Sequence, residues 1–152
     1  YPFIEDVDRL KYKYLRKRRQ HLYVNHGPAG SGVIPPANPS PPITIFFIQG
    51  DPVSGKMGEE YVILSNPSPL AADISGYSMG GAIRFALPEG TVIAGGDDLY
   101  LSPNVKLFRK RGTSPTGGEG LHVTGPYIQK IESGEWVRLF DRQGDLVSEL
   151  QY

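Results

Sequence analysis

The chain has 152 residues, with nineteen glycines, fourteen prolines, no cysteine, and sixteen basic side chains balanced by sixteen acidic ones. A disulfide framework and a thiolate metal site are excluded, one domain with appendages is all the length accommodates, and the glycine and proline content suits short strands joined by turns better than a helical bundle. No apolar run approaches the roughly 20 residues that a membrane-spanning helix needs.

The start at Tyr1, without a methionine or a signal-peptide pattern, is expected of a fragment of something longer. Residues 1–26 form a first, basic segment with seven Lys or Arg against three Asp or Glu, and the remainder has nine against thirteen. Glu5, Asp6 and Asp8 precede a basic stretch from Arg9 to Arg19, and Val7, Leu10, Tyr14, Leu15 and Leu22 recur at helical spacing. Early acids and later bases complement the helix dipole, so a helix is predicted over residues 6–23. Its apolar stripe is too thin to fold alone and calls for a partner: the following domain, a second copy, or an upstream domain. A homodimer through this helix is one expectation.

Residues 27–42 read GPAGSGVIPPANPSPP, without periodicity, and are predicted to be a linker. Strands are then predicted at 43–49, 59–66, 72–77, 82–87, 91–94, 98–102 and 105–110, each closed by Gly, Pro, Asn or Asp signals. A hairpin is predicted from 136–141 and 145–150 about Arg142-Gln143-Gly144. Alternation puts Val62 with Leu64, Leu99 with Leu101, and Val137 with Leu139 on buried faces. About eight short strands without a central helix make residues 43–152 an all-β sandwich. The glycine-rich stretch 111–126 is predicted to be a long loop.

Two segments imitate catalytic motifs. Gly76-Tyr77-Ser78-Met79-Gly80 matches the G-x-S-x-G nucleophile elbow, and Asp97 or Asp98 followed by His122 completes the order of a serine hydrolase. That chemistry needs a strand-to-helix turn, whereas GAIRFALPEG follows and stops at Pro88, so Ser78 is expected in a glycine turn between strands. GDPVSGK at 50–56 follows a strand like a phosphate-binding loop, but Met57 replaces the Ser or Thr that holds magnesium and no helix is predicted after it. His21, His26 and His122 have no metal-ligand spacing, and no metal or cofactor is expected.

GEEYVILSNPSPLAADISGYSM, FALPEGTVIAGGDDLYLS and ESGEWVRLFDRQGDLVSEL, taken in that order, resemble a lamin tail domain over residues 43–150. The resemblance implies an immunoglobulin-like sandwich and a binding or structural module, not an enzyme. It places Gly76 to Gly80 in the family's corner. Tyr77, Ile63 and Trp136 depart from the family pattern. In the family's register Ile63 and Trp136 point outward as a contact surface, and in a shifted register both are buried.

VDRLKYKYLRKRRQHLY is similar to the last helix of bacterial CotH-like, spore-coat-kinase-like domains. That similarity implies a secreted or envelope protein whose kinase-like site lies upstream, with the upstream domain or another envelope protein as partner. In nuclear lamins the family contacts nuclear proteins and DNA, a role unsuited to an acidic sandwich with no heptad rod before it. The alternative is binding of nucleic acid or an acidic polymer by Arg9 to Arg19 together with Arg109, Lys110 and Arg111.

Overall fold

The computed structural model describes residues 2–20 and 40–152. The chain divides into two compact units, Tyr1–Ala37 and Asn38–Tyr152. The predicted linker 27–42 falls outside the described residues up to position 39, as does the end of the predicted helix at 21–23.

In the first unit, α1 (Pro2–Asp8), a π-helical stretch Arg9–Leu15 and α2 (Arg16–Gln20) follow without a break. Helix begins four residues before the predicted start because proline is tolerated in a first turn, where its missing N–H has no helical acceptor. The wider π turns displace the 3.6-residue spacing from which the apolar stripe was read. Leu10, Tyr14 and Leu15 are exposed.

The second unit is a β-sandwich. One sheet has the order β1 (Thr44–Gln49), β2 (Tyr61–Ser65), β7 (Asp98–Leu101), β8 (Val123–Thr124), with β7 and β8 parallel and the other pairs antiparallel. The other has the order β10 (Leu146–Gln151), β9 (Trp136–Phe140), β4 (Ser78–Gly81), β5 (Phe85–Ala86). A short ribbon pairs β3 (Ala72–Asp73) with β6 (Val92–Ile93). Val62, Leu64, Leu99 and Leu101 from the first sheet meet Met79, Val137 and Leu139 from the second in one buried cluster. All three predicted inward pairs lie in it. Each such side chain contributes about 1.5–3 kcal/mol on removal from water. At the rim, the Ile45 amide donates to Ser148 Oγ at 3.0 Å, joining β1 to β10.

The predicted hairpin is β9–β10, closed by Asp141 Oδ1 accepting from the Gln143 and Asp145 amides, both at 2.9 Å. Two local expectations are corrected. Residues 105–110 are not a strand: α3 spans Val105–Arg109, and its N-cap Asn104 accepts from the Leu107 amide at 3.0 Å. The Asn that reads as a turn signal is a helix start.

Ser78 is not in a turn. β4 is a full strand between β9 and β5. Its poor strand propensity is overruled by tertiary fit. Met79 reaches the core, the Phe140 ring lies where a Gly80 side chain would be, and Gly81, at φ 83°, lets the Trp136 carbonyl approach.

Candidate interaction surface

β2 is buried on both faces, since Val62 and Leu64 face the core while Tyr61 and Ile63 face outward under α3. Phe108 of α3 is fully buried against them, with ring centroids 5.6 Å from both Tyr61 and Tyr100. This second small core corrects the expected role of Ile63. It points away from the sandwich core, yet at 8 % exposure it belongs to packing under α3 and not to a contact surface. Trp136, at 40 % exposure, is the other outward residue, and the Arg138 guanidinium lies 5.9 Å from its ring while pairing with Glu149 at 2.9 Å.

The basic triplet at the end of α3 divides in two. Arg109 and Lys110 are exposed. Arg111 turns back: its guanidinium lies 4.9 Å from the Tyr61 ring centroid and 5.9 Å from that of Phe108, and Nη1 donates to the Glu59 carbonyl. Its Nε is buried without a hydrogen-bond partner. Burial pushes the Tyr61 hydroxyl pKa upward, against the opposing pull of the Arg111 charge. Cation–π contact therefore holds the planar guanidinium fork in place, half-buried.

Beside this fork the chain folds loop 50–56 back on itself, with the Gly55 amide donating to the Pro52 carbonyl at 2.8 Å. A 3₁₀ turn, Met57–Glu59, follows in place of the helix a phosphate-binding loop needs. Ser54 Oγ donates to Glu59 Oε2 at 2.8 Å, and Lys56 Nζ lies 3.6 Å from Glu59 Oε1. The loop and the end of α3 enclose a groove of about 390 Å³ lined by Ser54, Lys56, Glu59, Lys110, Arg111 and Thr113 among others. The lysine of loop 50–56 and two of the three basic residues at the end of α3, Lys110 and Arg111, thus come together at one groove, which Arg109 does not line.

A comparison with protein-family models and with curated proteins finds no match to this chain.

The apparent hydrolase constellation is dispersed. Ser78 begins β4, paired on both sides in the second sheet. Asp98 belongs to β7 in the first sheet, and Asp97, Asp98 and His122 line a separate groove of about 440 Å³ that does not include Ser78. Among the described residues, no three His, Asp or Glu side chains are grouped to hold a metal ion. No helix there is long and apolar enough to cross a membrane.

Sequence inspection missed one buried pair. Glu60 is 1 % exposed, Oε2 accepts weakly from the Ile131 amide at 3.5 Å, and Oε1 has no partner. The nearby Tyr127 hydroxyl is also without one. Burial raises the Glu60 carboxyl pKa, offset in part by the Ile131 hydrogen bond and the Lys130 charge, and burial with the Glu60 charge raises Tyr127. The available signal was Glu60 directly before the apolar run YVIL.

Proposed function

We propose that the chain is a noncatalytic structural or protein-interaction module, an immunoglobulin-like sandwich of the lamin tail type belonging to a larger bacterial secreted or envelope protein. The observation that carries this reading is the position of Ser78. A nucleophile elbow raises its serine on a strained turn ahead of a helix, with amides free for an oxyanion. In β4 the segment is instead a paired strand in the middle of a sheet. What the sandwich offers to other molecules is surface: a half-exposed Trp136 on one sheet and a cationic groove beside the other. The lamin tail resemblance and the similarity of the N-terminal helix to CotH-like proteins support the setting, with the upstream domain or another envelope protein as partner.

The test compares ester hydrolysis by the chain and by Ser78→Ala. Equal background rates are expected, and hydrolysis that disappears with the hydroxyl would overturn the reading.

A second reading, binding of nucleic acid or acidic polymer by the helical unit, is favoured by the exposure of Lys11, Lys13, Arg16, Lys17 and Arg18. It requires salt-sensitive DNA binding that vanishes when residues 1–37 are removed.

A further inference from the structure

We infer that the groove between loop 50–56 and the end of α3 binds an acidic polypeptide segment, Lys56 and Lys110 pairing with its carboxylates and Arg111 supplying fixed N–H donors. The inference rests on the interaction-module reading and gives it a site and a partner chemistry.

The charges are unbalanced at this point. Among the described residues, Lys110 and Arg111 take part in none of the ion pairs. Arg111 is held by two rings and a carbonyl, and not by an ion pair. A cation immobilised in this way carries part of the ordering cost of binding before a ligand arrives. Lys56 has only Glu59, at the loose distance of 3.6 Å, and that carboxylate is shared with the Ser54 hydroxyl.

The occupant is narrowed by what else is present. A groove of about 390 Å³ is on the scale of side chains. Pro52 and Val53 line it with apolar surface, which suits the aliphatic parts of a peptide, and Glu59 places a carboxylate among the cations. The unit as a whole is acidic, with nine Lys or Arg against thirteen Asp or Glu beyond residue 26. A long polyanion therefore meets repulsion away from the groove, whereas a short acidic stretch meets the local cations alone.

The experiment titrates the full chain into a fluorescein-labelled oligoglutamate peptide and follows anisotropy. Saturable binding is expected, weakening with salt and by about tenfold or more in Lys56→Glu/Lys110→Glu. Both lysines are exposed, so the melting temperature of that variant should match the parent and separate lost binding from lost fold. Lys17→Glu/Arg18→Glu in the helical unit should bind like the parent. No saturable binding, unchanged affinity in the groove variant, loss in the helix variant, or tighter binding of a short DNA duplex at the same lysines would each overturn the inference. Those outcomes leave the module reading standing, which fails separately through Ser78-dependent ester hydrolysis.

Discussion

Asn66 ties three segments of the sandwich together: the two N–H groups of Nδ2 are shared among the carbonyls of Leu70, Ile93 and Ala94, and Oδ1 accepts from the Ser68 amide. It is fully buried, so Asn66→Ala would strand several backbone groups and should cost roughly 3 kcal/mol or more in urea unfolding. Glu60 and Asp73 make opposite pH predictions. Burial raises the Glu60 pKa above the unfolded value, so its favourable contribution is present at low pH and lost as pH rises through the elevated value. Glu60→Gln should therefore stabilise the fold at neutral pH and flatten the decline toward it. Asp73 is held below the usual carboxyl range by hydrogen bonds from the Ser75 hydroxyl and amide. Its contribution is present above the unfolded value and lost as pH falls through the depressed one, so Asp73→Asn should remove part of the acid sensitivity. Melts of the parent and both variants across acid to neutral pH check both signs.

Strands and helices differ in how openly the sequence declares them. β2, β7, β9 and β10 alternate or run apolar between clear stop signals, and the predicted inward residues are the ones found in the core. β4 is illegible locally, because Ser78-Met79-Gly80-Gly81 is a strand only through what β9 places against its glycines. Gly81→Ala should accordingly destabilise, since both the positive φ and the Trp136 carbonyl oppose a Cβ. α3 was hidden for a different reason. VKLFRK admits either a strand or one helical turn, and only the Asn104 side chain decides. Phe108→Ala should cost about 3–5 kcal/mol by emptying the small core over β2, and Asn104→Ala about 1 kcal/mol through loss of the cap. The Phe108 substitution should also weaken oligoglutamate binding, because it loosens the support under Arg111.

At the scale of the whole molecule, the sandwich owes its core to strands that composition and turn signals announce, while its candidate surface depends on distant pieces of chain. Lys56 and Lys110 are far apart in sequence, and nothing in their spacing brings them to one groove. The sequence leaves Ile63 open between an outward contact and a buried residue, and the helix that covers it is hidden as long as residues 105–110 are taken for a strand. Trp136 and the basic triplet were legible as departures from an acidic, alternating background. On the proposed reading, the compact unit of residues 38–152 folds and binds without the helical segment. The most direct test is the thermal unfolding of that unit beside the full chain, with the oligoglutamate titration repeated on it. A single cooperative transition, with peptide affinity equal to that of the full chain, is the predicted result. A segment that unfolds without cooperativity, or that folds but binds only when residues 1–37 are present, would contradict it.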